Sequence, residues 1–393
     1  MTIKICTILS IIYLSAILLF SIFNAIYNFR LSRRQLSILL TVFVVSCSFV
    51  AYCITPTGEG PDIVRYYSYM AEMQNMDFIT AMTKTKYSST IVANLLFFVV
   101  AQIGDFDLIK VVSTLVTVGC MSYIVYETAF YYKNRYTNYI MPFILFLFSG
   151  YNFITIFTGI RQPIAMSIIL VALFRDLYLN KIDCSTIILY ITSFLVHTQV
   201  IVLIFIRVLS IFKFRKLNYF IVLIPILAGL ILPYFNGINS LLDLVIDKYF
   251  IYINYPYDNR WVFMYQITKF ILYSSVIWIL LNKGIASCFL NKNKIKVFWN
   301  NYILFSIASI QIEHLFVRYL KVINVLMIPL IYVYFNNMYK EHQIYNIVRK
   351  GNNLTIEHLY GNNNIVLFIL LACFVVFDCA LQVASFNGWI LNF

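Results

Sequence analysis

Long runs of apolar residues, separated by short polar segments, make up most of this chain. The hydrocarbon core of a bilayer is about 30 Å thick, and an α-helix needs about 20 predominantly apolar residues to cross it. Runs close to that length predict membrane-spanning helices at residues 8–27, 36–54, 108–130, 139–157, 162–179, 218–234, 261–281, 315–334 and 365–381. The pattern therefore predicts an all-α fold, a polytopic transmembrane helical bundle.

Three further apolar stretches do not fit a single simple crossing. Residues 91–103 are too few, residues 187–212 are too many for one helix and carry His197 in their middle, and residues 299–312 are few and end before Glu313. Together with the clear runs, these stretches predict about 11–13 membrane segments. The first run is longer than the apolar part of a signal peptide, so we expect it to be retained.

The composition agrees with a membrane protein. Hydrophobic residues make up 62% of the chain and charged residues 11%, with a mean hydropathy of +0.83. Soluble domains carry about 25% charged residues, because a folded domain must cover its surface with polar groups. We therefore expect residues 1–393 to form one integral membrane domain.

The net charge of +13 comes from basic residues in short segments between the apolar runs. Cytoplasmic loops of membrane proteins are enriched in Lys and Arg, and no basic stripe of the nucleic-acid-binding kind is present. We therefore predict no nucleic-acid partner and outer loops at about 55–89 and 235–260. The predicted cytoplasmic loops cover approximately residues 28–35, 131–138, 175–186, 213–217, 282–298 and 337–363.

Two topologies are consistent with the remaining segments. If residues 91–103 and 187–212 each cross once, the basic loops 131–138 and 175–186 lie outside and break the charge rule. If residues 91–103 dip in and return, and residues 187–212 form a hairpin folded at His197, both loops are cytoplasmic. We favour the second version, which also predicts a cavity at His197, because irregular backbone at membrane depth needs protein or water around it.

In the favoured topology, several ionisable residues meet at the outer face. They are Asp62, Arg65, Arg161, His197, Arg260, Glu313, His314 and Arg318. Arginine is costly inside a bilayer, and its planar donor set suits phosphate oxygens. This grouping therefore indicates an anionic, phosphate-bearing ligand that lies in the membrane.

Each of these residues also has a purely structural interpretation. Arg161 could extend to the lipid headgroups, and His197 could be a hydrogen-bonded core histidine. Asp62 could be a turn residue, and Arg318 could pair with the glutamate five positions before it. The aromatic segment 255–261 could belong to an interfacial belt. Their shared face, more than any single residue, favours a functional interpretation.

Two segments resemble a known family. Residues 159–168 read Gly-Ile-Arg-Gln-Pro-Ile-Ala-Met-Ser-Ile, and residues 194–200 read Phe-Leu-Val-His-Thr-Gln-Val. This helix start with a later His is similar to the EpsG/Wzy type of polysaccharide polymerase. Asp62 with the Arg-Tyr-Tyr after it resembles that family's outer loop, and Arg318-Tyr319 resembles a late Arg-Tyr element. The chain departs from the family at Thr198-Gln199, where Pro or Ser often follows the His, and in lacking Gly-Thr before Asp62.

The resemblance implies an O-antigen or capsular repeat-unit polymerase with the architecture of a C-type, lipid-linked glycosyltransferase. Such an enzyme lies in the bacterial inner membrane with its site facing the periplasm, as part of lipopolysaccharide or other polysaccharide biosynthesis. It transfers an undecaprenyl-diphosphate-linked glycan to a hydroxyl of another lipid-linked repeat unit. The implied partners are this lipid-linked oligosaccharide, membrane lipid, a chain-length regulator and a flippase. No cofactor or metal is required by the residues.

On this hypothesis, Arg161 and Arg318 bind the diphosphate, supported by Arg65 or Arg260. A general base must take the hydroxyl proton, and His197 and Asp62 both remain candidates. The candidate glycan-binding residues are Tyr66, Gln162, Tyr255, Tyr257 and Trp261.

Two other functions remain to be weighed. A lipid-linked oligosaccharide flippase has similar size, but it does not need long outer loops bearing Asp, Tyr and Arg. A membrane acyltransferase would need an acyl-transfer centre, and the sequence has no HxxxD-type element. The outer loops therefore favour the polymerase, with the flippase as the alternative.

Overall fold

The computed structural model describes residues 31–54, 62–85, 89–131, 136–137, 153–211, 260–282 and 285–334. Several predictions lie outside the described residues. They are the spans at 8–27, 218–234 and 365–381, most of the span at 139–157, the loops at 213–217 and 337–363, and Tyr255 and Tyr257 in the second outer loop.

The described chain is almost entirely helical. The helices are α1 Arg33–Cys53, α2 Asp62–Met73, α3 Phe78–Thr83, α4 Ile91–Ile103, α5 Leu108–Ala129, α6 Phe153–Thr158, α7 Arg161–Leu177, α8 Cys184–Val196, α9 Ile201–Leu209, α10 Arg260–Asn282, α11 Lys292–Ala308 and α12 Glu313–Leu326. Short 3-10 turns lie at Thr198–Val200, Ile285–Cys288 and Ser309–Gln311, and helical conformation resumes at 328–334 after Met327.

Among the described residues, four helical segments are long and apolar enough to cross a membrane: Arg33–Cys53, Leu108–Ala129, Arg260–Asn282 and Glu313–Tyr334. They correspond to the predicted spans at 36–54, 108–130, 261–281 and 315–334. The structure therefore has the all-α character and the membrane-spanning helices that the apolar runs predict. The one strand pair described is minimal, with Leu31–Ser32 (β1) antiparallel to Tyr136–Thr137 (β2).

Helix α1 illustrates how the sequence determines where a membrane helix begins and which of its faces is buried. Ser32 caps it, since its hydroxyl accepts the Gln35 amide hydrogen and the Gln35 side chain accepts from the Ser32 amide. One helical face is buried against the bundle, and the opposite face exposes large apolar side chains. The buried apolar positions are Leu36, Leu40, Phe43, Cys47 and Ala51, and exposed ones are Ile38, Val42, Val45 and Phe49. An apolar exposed face is suited to lipid rather than to water.

Helices α1 and α5 pack against each other in opposite directions. The Arg33 guanidinium lies 4.9 Å from the Phe130 ring centroid, while the Lys110 ammonium donates to the Ile54 carbonyl. The start of α1 thus meets the end of α5, and the end of α1 meets the start of α5. The chain between them, including α4, therefore starts and finishes at one end of the bundle, as the dipping version of the topology requires.

Helix α7 runs from one end of the bundle to the other, with Arg161 at its start and Asp176 in its last turn. The Ser113 hydroxyl, near the start of α5, donates to the Ile156 carbonyl in α6, which directly precedes α7. Arg161 therefore lies at the end that holds Ile54, which we call the Arg161 end. The opposite end is called the Asp176 end, after the buried carboxylate near the last turn of α7. Helix α7 is buried almost all round, as expected for a central helix.

The chain turns back at His197. Helix α8 ends at Val196, His197 is extended, and a 3-10 turn leads into α9. The Arg207 guanidinium of α9 then reaches Asp176 with Nε–Oδ2 and Nη2–Oδ1 distances of 2.6 and 2.7 Å. Tyr190 of α8 donates to the same carboxylate at 3.2 Å. Since both helices contact the Asp176 end, α8 and α9 run in opposite directions, which is the hairpin geometry expected from residues 187–212.

The segment predicted as an outer loop at 55–89 contains two helices among its described residues, α2 and α3. Helix α2 buries Ile63, Tyr66, Met70 and Met73 at helical spacing, and Asp77 caps α3 through the Thr80 amide. The Thr80 amide hydrogen bond is the main reason that the pKa of Asp77 is lowered. Helix α2 has many polar residues and is too polar to cross a membrane. The search for long apolar runs therefore did not detect it, although its apolar residues recur at helical spacing.

Two of the segments predicted as cytoplasmic loops are partly helical where they are described. Helix α11 already begins at Lys292, so several basic residues of the 282–298 segment lie on its first turns. Helix α8 begins at Cys184 with Asp183 as its cap, and hydrogen bonds from Ser185 and Thr186 hold the pKa of Asp183 well below its usual range. Basic residues extend the helices here because Lys and Arg are good helix formers.

These basic segments share one end of the bundle. Asn291 Nδ2, just before α11, donates to the Asp176 carbonyl. The β1–β2 pair joins the segments at 28–35 and 131–138 next to the start of α1. The Arg-, Lys- and Asn-bearing connections therefore gather at the Asp176 end, opposite Arg161.

Candidate functional site

Arg161 is the centre of the candidate site. Its Nη1 lies 3.4 Å from Thr90 Oγ1 and its Nε lies 3.5 Å from the Tyr66 hydroxyl, with its guanidinium carbon 6.0 Å from the Tyr66 ring centroid. The Tyr66 ring stacks on Phe97 at a centroid distance of 5.0 Å. Helices α2, α4 and α7 thus hold the guanidinium in place through two long hydrogen bonds and the contact with the Tyr66 ring.

The backbone before Arg161 is strained. Ile160 is fully buried and has a φ of +30°, a value that β-branched residues rarely adopt. A Cβ at the preceding Gly159 would lie 3.0 Å from the Thr155 carbonyl oxygen, which explains the glycine there. Such backbone strain persists where the surrounding structure enforces it and is frequent at functional sites.

An apolar cavity of about 200 Å³ lies beside Arg161. Helices α4, α5, α7 and α8 form its walls, and residues from each include Val92, Phe97, Val116, Ile164, Thr192 and Val196. Val196 directly precedes His197, so a cavity is present next to the predicted turn. Its lining is almost wholly apolar, with Arg161 as its charged member.

His197 organises the turn between α8 and α9. Its Nδ1 accepts a hydrogen bond from the Gln199 amide at 3.2 Å, so Nδ1 is unprotonated and the neutral ring carries its proton on Nε2. Tyr319 of α12 donates to the Gln199 carbonyl at 2.7 Å and ties this turn to the late Arg-Tyr element. With its proton on Nε2, His197 is a hydrogen-bond donor at that nitrogen.

A second basic group lies on α10 and α12. Lys321 Nζ is 3.4 Å from Thr155 Oγ1, and Arg318 lies one helical turn before Lys321 on α12. Helix α10, which carries Lys269, packs against α12 through Phe270 and Phe316. Lys269 is buried, with its Nζ 5.6 Å from the Tyr273 ring centroid. At 1.5 Å rise per residue, both lysines lie about 12–13 Å along their helices from the Arg161 end. Arg318 lies about 7–8 Å along α12. Together the three cations would attract an anion.

Two of the predicted diphosphate-binding arginines have acidic partners instead. Arg65 pairs with Asp62 at 2.7 Å within the first turn of α2, and both side chains are largely exposed. Arg260, at the start of α10, pairs with Glu313 at the start of α12. The Arg65–Asp62 pair is exposed on both sides and is therefore weak. In the second pair Arg260 is exposed, whereas Glu313 is mostly buried. Arg161 and Arg318, by contrast, lie deeper in the bundle.

The predicted glycan-binding residues that the structure describes differ in their exposure to solvent. Tyr66 is buried under Arg161, and Trp261 is 86% exposed at the start of α10. Gln162 has a buried side-chain Nε2 that has no hydrogen-bond partner among the described residues. An unsatisfied buried donor costs about 1–3 kcal/mol, and this one stands next to Arg161 in the chain.

A polar network braces the same end. Lys110, fully buried, pairs with Asp107 at 2.8 Å, and the Tyr67 hydroxyl donates to Asp107. The Tyr52 hydroxyl donates to Asp105 at 2.9 Å. Burial, followed by the hydrogen bond to Asp107, raises the pKa of Tyr67 well above its usual range. These contacts fix α2 against α1 and α5 and so position Tyr66 beneath Arg161.

Sequence reasoning did not single out Lys110, Asp176, Arg207, Lys269 and Lys321. Each is a charged residue within an apolar run that was predicted to enter the membrane. Ionisable residues in such runs are candidate functional or pairing residues by default. That rule would have found all of them, although the sequence does not tell which ones pair.

The chain has no match among protein-family models, curated proteins or solved structures. Its function is therefore inferred from the residues and geometry of the Arg161 end.

Proposed function

We propose that this protein is a repeat-unit polymerase of O-antigen or capsular polysaccharide, a C-type glycosyltransferase using undecaprenyl-diphosphate-linked substrates. The observation that carries the proposal is the position of Arg161. Its guanidinium rests on Tyr66 and Thr90 at the edge of an apolar cavity between apolar helices. A lipid with a phosphorylated headgroup requires this combination of a fixed cation and an apolar space.

The proposed chemistry joins two lipid-linked glycans. A hydroxyl of one attacks the anomeric carbon of the sugar that the other carries, and undecaprenyl diphosphate leaves. Negative charge grows on the leaving diphosphate, so pre-positioned cations lower the barrier. Arg161 binds the diphosphate, and Arg318, Lys321 and Lys269 add positive charge further along α12 and α10.

The hydrogen bonding of His197 favours Asp62 of the two candidates for the base. Because its Nδ1 accepts from Gln199, His197 is assigned as a donor to a phosphate or sugar oxygen. Asp62 is then the general base. Its carboxylate is exposed to an incoming hydroxyl, and its surface pair with Arg65 is easily exchanged.

The basic connections at the Asp176 end support the orientation of the protein. By the positive-inside rule that end faces the cytoplasm, and the Arg161 end then faces the periplasm of a bacterial inner membrane. Lipid-linked repeat units would reach it after a flippase has moved them outward, and a chain-length regulator would act on the product. The further spans that the apolar pattern predicts outside the described residues would bring the bundle to about 11–13 segments.

The proposal predicts that Arg161→Ala abolishes chain elongation in cells. Glycan gels should show single repeat units in place of a ladder, with the protein at its normal level in the membrane. Arg161→Lys should retain partial elongation, because Lys keeps the charge but loses the two-pronged donor geometry. Arg34→Ala is the matched control, since Arg34 is exposed at the Asp176 end, and its ladder should be normal. A normal ladder in Arg161→Ala would contradict the proposal.

Deletion of the protein separates the polymerase from a flippase. Loss of a polymerase leaves surface glycan one repeat unit long, whereas loss of a flippase removes the glycan altogether. Complete absence of glycan in the deletion strain would favour the transporter.

A further inference from the structure

We infer that the apolar cavity between α4, α5, α7 and α8 binds the first prenyl units of the lipid carrier whose phosphate is held at Arg161. The inference rests on the proposed function and names where the chain of that substrate lies. Arg161 and Ile160 line the cavity together with side chains from all four helices. The cavity surface is almost wholly apolar, so Arg161 lines it through its aliphatic stem. A phosphate bound to the guanidinium at the end of that stem would have its attached carbons close to the cavity.

The charge pattern of the cavity matches such a ligand. Its walls are formed by aliphatic and aromatic groups, including Phe97, Val116 and Ile164, with one guanidinium beside them. Small-molecule sites are lined in the same way, by apolar surface with a few polar groups that fix orientation. A cavity of about 200 Å³ is small on the scale of such sites, so it holds a short length of chain and leaves the rest in the bilayer.

The cavity lies next to surfaces that are suited to lipid. On α4, the wall residues Val92 and Leu96 are adjacent to Ile91 and Leu95, which are 56% and 41% exposed. On α8, Ile188 and Ile191 are likewise exposed and apolar. The outer faces of both helices are therefore lipid-facing in a membrane, and a prenyl chain would pass between bilayer and cavity without crossing water.

The cavity residues offer a well-matched pair of variants. Val116 lines the cavity, whereas its neighbour Leu115 is 41% exposed on the outside of the same helix. Val116→Phe fills the space that the chain would occupy, and Leu115→Phe adds the same ring outside it. Val116→Ala enlarges the space with little risk of a steric clash, so it can be tested in place of Val116→Phe if the larger residue prevents folding.

The test is photolabelling of the purified full-length protein in detergent with a benzophenone-bearing farnesyl diphosphate. We expect adducts on the cavity-facing residues of α4 and α8, and competition by unlabelled farnesyl diphosphate but not by inorganic diphosphate at the same concentration. Val116→Phe should lower the labelling on the order of ten-fold, since the ring excludes the chain. Leu115→Phe should label as the wild type does, and Val116→Ala should label at least as strongly.

Adducts confined to other parts of the chain, or equal labelling of Val116→Phe, would overturn the inference. Equal competition by phosphatidic acid would overturn it too, because the cavity would then accept any lipid chain near a phosphate. The labelling needs no turnover, so it is independent of the elongation assay. Lost ladders in Arg161→Ala without cavity labelling would refute only the cavity inference, and cavity labelling with normal ladders would refute only the polymerase.

Discussion

The buried ion pair between Asp176 and Arg207 offers the sharpest test of the hairpin at His197. The side chains are 6% and 4% exposed, and two short hydrogen bonds join them. They come from helices on either side of the hairpin, α7 before α8 and α9 after the turn. If α9 did not return towards the Asp176 end, the two residues would not meet.

The magnitude follows from burial. Removing one partner leaves the other charge buried and uncompensated, which typically costs about 3–5 kcal/mol. We therefore expect Asp176→Leu and Arg207→Met each to lower the free energy of unfolding by about that amount. The double variant removes both charges and should be nearly neutral by the same rule, apart from the lost partners of Tyr190 and Ser210, at about 0.5–1.5 kcal/mol each.

The assay is denaturant unfolding in mixed micelles, arranged as a double-mutant cycle. The double variant should be more stable than either single variant. The exposed pair Asp62–Arg65 is the control, and its coupling should stay below about 1 kcal/mol. If the effects of the two buried substitutions simply add, α9 does not contact Asp176 and the hairpin is wrong.

Two further predictions concern the basic group and the orientation. Lys269→Met and Lys321→Met should each reduce elongation at least several-fold without loss of folded protein, because they remove positive charge near Arg318. Unchanged glycan ladders in both variants would show that these two lysines are not part of the site. Thr198→Cys, exposed beside His197, should react with a membrane-impermeant thiol reagent added to the periplasm, whereas the exposed native Cys184 at the other end should react only after the membrane is opened. The reverse pattern of labelling would invert the orientation.

Parts of the candidate site could be predicted from the sequence. The helix start at Arg161 and the interruption at His197 both came from local pattern, because a proline near a helix start and an overlong apolar run are local signals. The partners of Arg65 and Arg260 were not predicted. Arg260 and Glu313 are far apart in sequence, and only the parallel packing of α10 and α12 brings them together.

The sequence by itself determined that this protein belongs in a membrane and where its main helices lie. Bilayer thickness sets the length of each span, so runs of apolar residues are enough to locate them. Tertiary structure alone decided which charges meet. Lys110, Asp107 and Tyr67 brace one end, Arg207 returns to Asp176 at the other, and Arg161 rests on Tyr66 beside an apolar cavity. Those contacts join helices that are distant along the chain, and in a membrane such helices are brought together by their packing rather than by their order in the sequence.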